Sequence, residues 1–148
     1  MRTNVPAPTA TLDNLGFLLA KASQRFNERL AERFAAEGFP EVRPSYGSVL
    51  VPLFERESLR VGEIGARARL SKQSMTRLVA QCEADGLVLR RRDDEDGRAF
   101  RVDLTQRGRQ LRSLAERVLN ELDDDIVAIL GHEQNDALKR ALKGVMDL

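Results

Sequence analysis

The chain has 148 residues, of which 42% are hydrophobic and 32% are charged, and its formal net charge is +1. This length suits one domain with its own core, and no apolar run approaches the roughly 18 residues of a membrane-spanning helix. The first residues lack the basic and then apolar order of a secretory signal, and Cys82 has no second cysteine to pair with, so we expect a cytoplasmic protein.

The small net charge hides an uneven distribution along the chain. Residues 1–59 hold 7 basic and 7 acidic side chains, residues 60–112 hold 13 and 8, and residues 113–148 hold 4 and 8. The three balances are therefore 0, +5 and −4. Binding to nucleic acid needs a local positive field, so the middle third is the predicted binding region.

Amphipathic helices are predicted at both ends of the chain. Residues 1–11 show no periodicity and are expected to form a loose arm. From Leu12 onwards apolar residues recur every three or four positions, which predicts a long helix ending near Gly38. Thr105 suits the cap of a second long helix, and Gly131 separates it from a last helix. Because these helices have one-sided apolar stripes and little to bury them against, we expect a homodimer.

The middle of the chain predicts three shorter helices. Pro44 suits the first turn of one helix, and Pro52 inside that helix should kink or shorten it. Residues 61–68 and 72–84 predict two helices joined by a sharp turn, with Ser71 as the cap of the second. This pair is typical of a helix-turn-helix.

A charged hairpin is predicted directly after that pair. Leu87 and Leu89 alternate with Val88 and Arg90, which predicts a strand. After the turn, Phe100, Val102 and Leu104 show the same period of two. We expect Asp96-Gly97 to supply the positive φ angles of a tight turn. An arginine-rich hairpin in this position predicts the wing of a winged helix-turn-helix.

The predicted fold class is mainly α with a small β-hairpin wing. We expect a single domain over residues 1–148, with the winged helix-turn-helix in residues 44–104. The dimerisation helices are expected in residues 12–38 and 105–148.

Several motifs resemble the multiple-antibiotic-resistance regulator (MarR) family. They are Leu70-Ser71-Lys72-Gln73-Ser74-Met75-Thr76-Arg77-Leu78-Val79, the segment 83–88, the charged wing 90–98 and Leu104-Thr105-Gln106-Arg107-Gly108. The family often has proline where this chain has Asp94. The resemblance implies a homodimeric transcription regulator, usually a repressor, with recognition helices in major grooves and wings in minor grooves of a pseudo-palindromic operator. It also implies that a small aromatic or phenolic acid releases the DNA, as in many members.

The predicted recognition helix supplies candidate contacts to bases and phosphates. Glutamine matches the hydrogen-bonding edge of adenine and arginine that of guanine, so the candidates for base contacts are Gln73, Ser74 and Arg77. Ser71 caps the helix beside amides that can receive a phosphate, and Lys72 and Thr76 are expected to contact phosphates. The alternative is a helix face that is merely solvated.

The wing adds four candidates. Arg98 is expected at its tip, where a guanidinium can enter a narrow A·T-rich minor groove. Asp96 is expected to orient a neighbouring arginine. Arg90 and Arg92 share one face of the strand and are predicted to bind DNA, whereas Arg91 points the other way. At least one of these three arginines should be solvated or paired within the protein.

Other chemistry is expected to be absent. Cys82 suggests either a redox sensor or a small core residue, and its apolar neighbours favour the core. A lone His132 beside an acid is a poor metal site, and Asp123–Asp125 point in different directions on a helix, which favours a solvated face. We predict no metal, no cofactor and no enzyme activity, because no nucleophile–base pair or phosphate loop is present.

Two questions stay open at this stage. For a small effector, Tyr46 on the second helix could stack on an aromatic acid and Arg25 could bind its carboxylate, but packing of Tyr46 and exposure of Arg25 are favoured. For the function, the competing hypothesis is a winged-helix module for protein contacts that does not bind DNA, which the acidic run Asp93–Asp96 favours.

Overall fold

A computed structural model describes residues 12–148; the expected arm at residues 1–11 lies outside this range. Six helices and three short strands follow one another along the chain. In order they are α1 (Leu15–Ala36), α2 (Gly47–Glu55), β1 (Ser58–Arg60), α3 (Val61–Ala68), α4 (Lys72–Ala84), β2 (Val88–Arg92), β3 (Phe100–Leu104), α5 (Gln106–Leu130) and α6 (His132–Val145). The predicted fold class, mainly helical with a small wing, is confirmed. No helix within the described range is long and apolar enough to cross a membrane.

The helix boundaries follow local capping signals. The Ser71 hydroxyl accepts a hydrogen bond from the Ser74 amide at 3.1 Å, and Thr105 does the same for Gly108 at 3.1 Å. Gly131 lies between α5 and α6 with φ +81°, in the left-handed region that glycine reaches without strain. The predicted starts of α4 and α5 are therefore confirmed.

The second helix is shorter than its sequence pattern suggests. Pro44 opens a single 3₁₀ turn, Pro44–Tyr46, and α2 then runs for only 9 residues with Pro52 inside it. Tyr46 thus belongs to the turn before the helix, so its predicted place on the second helix is wrong. The proline ring fixes φ near the helical value but removes one amide donor, which fits a short helix.

The sheet contains a strand that the sequence does not reveal. Its order is β1-β3-β2, with both pairs antiparallel, and Leu59 of β1 faces Val102 of β3. Three residues are too few to show a period of two. This strand carries the chain from α2 to α3 and so fixes the wing against the helix-turn-helix.

The predicted alternation on the first wing strand is wrong by one residue. Val88 is buried, whereas Leu89 is 57% exposed. Leu87 is buried too, but it precedes the strand, and its carbonyl accepts the Thr105 amide at 3.1 Å. The pleat places Val88, Arg90 and Arg92 together on one face, so Leu89 falls on the other.

The turn between the wing strands also differs from the prediction. Gly97 does not have a positive φ, and the strands are joined by a longer loop of residues 93–99, the wing loop. The Asp93 amide donates to the Ala99 carbonyl at 2.9 Å and closes the loop. The Asp93 carboxylate accepts the amides of Glu95 and Asp96 at 2.8 and 3.0 Å. A side chain therefore provides the turn geometry that was expected from glycine.

The core joins the C-terminal half of α1 to the middle of the chain and to most of α5. Its completely buried members include Tyr46, Leu53, Leu59, Ile64, Met75, Leu87, Val102 and Leu111. The N-terminal half of α1 and one face of α6 carry exposed apolar residues instead. The core thus supports the helix-turn-helix and the wing within one chain.

Candidate nucleic-acid interface

The turn between α3 and α4 sets the direction of the exposed helix face. Arg69 ends α3 with φ +54° and ψ +38°, the left-handed conformation that non-glycine residues rarely adopt. Helix α4 then buries Met75, Val79 and Cys82 against the core and presents its opposite face to solvent. We call α4 the recognition helix, following the predicted role.

The structure divides the six predicted residues of the recognition helix into two groups. The hydroxyls of Ser71 and Ser74 lie 3.0 Å apart in a hydrogen bond, and Ser74 is half-buried. The Thr76 hydroxyl donates to the Lys72 carbonyl at 2.8 Å. These three hydroxyls are already engaged within the helix.

The other three side chains are exposed and available. Within residues 12–148, no hydrogen bond or ion pair involves the side chains of Lys72, Gln73 or Arg77. Their roles toward bases or phosphates stay predictions. The Ser74 hydroxyl accepts a hydrogen bond from the Ser71 hydroxyl, and its role toward a base stays a prediction as well.

The wing loop presents Arg98 to solvent. Its side chain is exposed and makes no hydrogen bond or ion pair to any residue from 12 to 148. The Arg98 amide donates to Asp96 Oδ1 at 3.0 Å. Asp96 therefore contacts the neighbouring Arg98 through the backbone of that arginine.

Arg90 and Arg92 lie side by side on the exposed part of the wing. Both guanidinium groups lie 5.9 Å from the ring centre of Phe100, within the range of a cation–π contact. The Arg90 amide also donates to Glu83 at 2.7 Å, and Arg92 donates to the Gly97 carbonyl at 3.0 Å. Phe100, which alternation placed inward, is exposed and supports these two cations.

Arg91 is paired within the protein, which confirms the expectation that one of the three arginines would be. Its Nε lies 2.6 Å from Asp103 and its Nη1 lies 3.3 Å from Asp94. The hydrogen bond to Asp103 is the main cause of a raised pKa of Arg91. This arginine belongs to the opposite face of the strand.

A groove of about 1030 Å³ separates the helix-turn-helix from the wing. Val61, Leu70 and Met75 form part of its floor, and Phe100 closes it on the wing side. Five cationic side chains line it, namely Arg60, Arg69, Lys72, Arg90 and Arg98. Lys72 in α4 and Arg98 in the wing loop have no acidic partner in the described part of the chain, and Glu63 is the one acidic residue that lines the groove, so the groove favours an anion.

Asp93 differs from the other members of the acidic run Asp93–Asp96. It was grouped with an exposed acidic run, but its side chain is only 2% exposed and lies between Arg60 and Arg101. Hydrogen bonds from Arg60, then from the Asp96 amide and from Arg101, hold the pKa of this carboxyl well below its usual range. The one signal in the sequence was Arg60 itself, an arginine at a helix start where a short polar residue is preferred.

The acidic run is consequently less acidic than it looks. Asp93 is buried and neutralised, and Asp96 accepts an amide within the loop. Asp94 is 90% exposed, although it lies 3.3 Å from Arg91. This distribution weakens the argument for a wing that has lost its affinity for nucleic acid.

The two predicted effector residues lie in different environments. Tyr46 is buried, and its hydroxyl donates to Asp85 at the end of α4. Burial, with a smaller contribution from Asp85, raises the pKa of Tyr46 to about 12. Arg25 is exposed on α1 and pairs with Glu28 at 3.3 Å. Neither side chain lines the groove beside the wing, and their role in binding an effector stays a prediction.

The remaining reactive side chains have structural environments. Cys82 is buried, and burial raises the pKa of its thiol to about 12, so it is a core residue as expected. The predicted solvated face at Asp123–Asp125 is only partly correct, because Asp123 pairs with Lys139 and Asp125 with Arg33. Residues 12–148 contain no cluster of potential metal ligands. His132 is exposed at the start of α6.

Comparison with known sequences identifies relatives of the central segment. The family model described as MarR family matches residues 53–99. The HTH-type transcriptional regulator TtmR of Methylorubrum extorquens is 44% identical over 64 residues, which are 43% of this chain and 33% of that protein. The organic hydroperoxide resistance transcriptional regulator of Bacillus subtilis is 33% identical over 72 residues, 49% of this chain and 48% of that protein. The chain thus matches between a third and a half of the length of these curated relatives.

A solved structure extends the likeness to nearly the whole fold. The transcriptional repressor CouR, bound to a 23-mer DNA duplex, superposes with a TM-score of 0.77 at 25% identity. The superposition covers 90% of this chain and 92% of that one. The helix-turn-helix, the wing and the sequence matches agree that the central segment of the chain is similar to the MarR family.

Proposed function

We propose that this chain is a sequence-specific DNA-binding transcription regulator that acts as a homodimer and represses its target genes. The observation that carries the proposal is the groove between α4 and the wing, with the unpaired cations Lys72 and Arg98 on its two sides. Such cations replace the counterions of a phosphate backbone, which is the main source of affinity for DNA. The similarity of residues 53–99 to the MarR family and the superposition with DNA-bound CouR support the same function.

The available side chains fit the two grooves of B-form DNA. An α-helix fits the major groove, and Gln73 and Arg77 on the exposed face of α4 have the donors and acceptors to bind base edges there. Lys72, at the first position of α4, is placed to contact a phosphate. Arg98 on the wing loop is placed to enter the adjacent minor groove.

A homodimer would bury the apolar residues that one chain leaves exposed. They lie in the first turns of α1, at the end of α5 and along α6: Leu15, Leu18, Ile129, Leu138, Leu142 and Met146. Contiguous apolar surface of this kind marks interaction sites. Two-fold pairing of these helices would also present two recognition helices to a pseudo-palindromic operator.

We further propose that a small aromatic or phenolic acid releases the protein from DNA. This proposal rests on the family resemblance, since Tyr46 is buried and bonded to Asp85. A panel of aromatic carboxylic acids, added to the preformed complex with DNA, tests it directly. Dissociation at concentrations that leave the fold intact supports an effector site, and no dissociation with any member contradicts it.

The experiment that tests the function is selection from a random pool of 30-base-pair duplexes, followed by titration at several salt concentrations. We expect one enriched, roughly palindromic sequence, bound at least ~1000-fold more tightly than its scrambled version. Enrichment of no sequence, with weak binding to every duplex, contradicts sequence-specific recognition. That outcome favours the winged-helix module for protein contacts, whose remaining support is the exposed Asp94 and Glu95. Enzyme activity is not part of this proposal, in agreement with the family.

A further inference from the structure

A buried carboxylate lies at the junction of three separate elements. Asp93 is the first residue of the wing loop, and its Oδ2 accepts hydrogen bonds from Arg60 Nε at 3.0 Å and Arg101 Nη1 at 3.1 Å. Its Oδ1 accepts Arg60 Nη2 at 3.3 Å and the amides of Glu95 and Asp96 at 2.8 and 3.0 Å. Five donors thus surround one carboxylate, as a buried charge requires.

Each donor fixes a different part of the molecule. Arg101 belongs to β3, and its remaining nitrogens donate to the Ser58 hydroxyl at 3.0 Å and the Ser58 carbonyl at 3.3 Å. The two amides belong to the wing loop itself. Arg60 is the residue before α3, the first helix of the helix-turn-helix. Asp93 therefore links the wing loop to β1, to β3 and to the start of α3.

The start of α3 is built so that the Arg60 side chain is free for this contact. A short polar side chain at that position would normally cap the helix. Here Glu63 accepts the Arg60 amide at 3.1 Å, and the Arg60 guanidinium extends to Asp93 with two nitrogens. The helix loses the usual cap and gains a bidentate contact to the wing.

Arg98 lies close to this cluster along the chain. Asp96 donates its amide to Asp93 and accepts the Arg98 amide at 3.0 Å. The backbone of Arg98 is thus connected to Asp93 through one residue. Any movement of the wing loop away from α3 changes the distance between Arg98 and the recognition helix.

We propose that Asp93, clamped by Arg60 and Arg101, is a positioning residue that fixes the spacing between Arg98 and the recognition helix for simultaneous binding in adjacent grooves of DNA. This inference rests on the proposed function. Asp93 itself is buried and does not touch DNA. Its contribution is to prevent rotation of the wing loop, because a contact site that is displaced by about 1 Å loses much of its binding energy.

The sign of one substitution separates positioning from plain electrostatics. Removing a negative charge from a DNA-binding surface should raise affinity if only the field matters. If Asp93 is a positioning residue, Asp93→Asn lowers affinity by about tenfold on the enriched 30-base-pair duplex, because Arg60 and Arg101 lose the negative charge and one of the two acceptor oxygens that hold them. Asp94→Asn is the matched control: it removes the neighbouring, 90% exposed carboxylate and is expected to leave affinity equal or slightly higher.

A second pair of variants tests whether the clamp acts through Arg98. Arg60→Gln should weaken binding in the wild-type background but add little in the Arg98→Ala background, since both changes remove the same contact. Arg67→Gln removes one positive charge from the same helix at a residue paired with Glu55, and controls for the loss of charge. Full additivity of Arg60→Gln and Arg98→Ala overturns the proposal, because Arg60 would then bind DNA by itself. Equal or tighter binding by Asp93→Asn also overturns it.

Hydrogen exchange without DNA separates the clamp from the proposed function. The amides of Glu95 and Asp96 should exchange at least ~10-fold faster in Arg60→Gln than in the wild type, while the amides of α4 keep their protection. Unchanged exchange overturns the clamp even if the wild-type chain binds DNA well. Fast exchange with no enriched DNA sequence leaves the clamp supported, refutes the role proposed for it and contradicts the function.

Discussion

Large apolar side chains are buried in the middle of this molecule but exposed near its ends. Leu53 in α2 is completely buried by its own chain, whereas Leu142 in α6 is 38% exposed and Ile129 at the end of α5 is more exposed still. Both regions have regular apolar periodicity in the sequence, so the pattern alone does not distinguish them. The difference indicates that the chain itself buries the apolar residues of the winged helix-turn-helix, and the exposed apolar residues of the terminal helices support the proposed pairing with a second copy.

The cationic side chains also differ between the two regions: those near the ends are paired with acids, whereas some of those in the middle are not. Near the ends, Arg33 and Lys139 pair with acids of α5 within the same chain. In the middle, Lys72 and Arg98 have no acidic partner within residues 12–148. A net charge of +1 therefore says little, and the positions of the unpaired cations carry the information about a partner.

The largest expected effect is on the core of the middle region. Leu53→Ala should lower the free energy of unfolding by about 2–5 kcal/mol, because it leaves a cavity between α2 and its neighbours. Leu142→Ala should cost less than about 1 kcal/mol in the free energy of unfolding of the isolated chain. Urea denaturation at low protein concentration measures both. Equal losses for the two leucines would contradict the division into a closed middle and open ends.

The next effect concerns the assembly of the ends. Replacing Leu138 and Leu142 together by glutamate places two charges in the apolar face of α6 and should raise the dissociation constant of the dimer at least ~100-fold. Sedimentation velocity over a range of concentrations measures the change, with circular dichroism to show that helix content is retained. The double variant Arg140→Gln, Lys143→Gln is a control for altered charge on the same helix. A mass that stays monomeric already in the wild type contradicts the homodimer.

Two glycine-to-alanine substitutions, one in the middle region and one near the end, are expected to change stability by smaller amounts and in opposite directions. A Cβ at Gly108, in the first turn of α5, would clash with the Leu87 carbonyl and approach a Leu104 methyl to 3.0 Å. Gly108→Ala should therefore destabilise the chain by about 1–3 kcal/mol. At Gly144 in α6 a Cβ has open space, and Gly144→Ala should stabilise by up to about 1 kcal/mol. Thermal unfolding of both variants checks the opposite signs; a shift of the same sign in both would refute the close packing at the junction of wing and α5.

The last effect is a loss of stability at alkaline pH. Burial raises the pKa of Cys82 and of Tyr46 to about 12, above ordinary values of 9.0 and 10.0. The unfolded chain therefore releases these protons at lower pH than the folded chain, so stability falls as pH rises above about 9. Urea midpoints at pH 7 and pH 10.5 measure the fall, and Tyr46→Phe should reduce it. A midpoint that does not change between these pH values would contradict the burial of both groups.

Local signals in the sequence were sufficient for the elements that position the interface. The cap at Ser71, the glycine at position 86 and the apolar spacing of Met75, Val79 and Cys82 define α4 without reference to the rest of the chain. The same holds for Thr105 at the start of α5. A helix cap involves residues only three or four positions apart, so a short stretch of sequence is enough to predict where a helix begins.

What could not be predicted depends on contacts between distant segments. In the sequence, Asp93 resembles the three acidic residues that follow it. In the structure it is buried because Arg60, 33 positions earlier, contacts its carboxylate. Leu89 faces outward because the pleat of β2 places its neighbour Val88 in the core, and the alternation alone does not show which of the two faces is buried. In each case the burial of a side chain depends on its packing against another segment of the chain, which local sequence does not show.

The central claim is that the unpaired cations of the middle region bind DNA and those of the ends do not. The most direct test is the slope of the logarithm of the binding constant against the logarithm of salt concentration, on the enriched duplex, for Lys72→Gln and Lys143→Gln. If each protomer of a dimer contacts a phosphate through Lys72, the slope should become less steep by about 2 in the first variant and stay unchanged in the second. A slope that changes for Lys143→Gln, or that does not change for Lys72→Gln, would contradict the account.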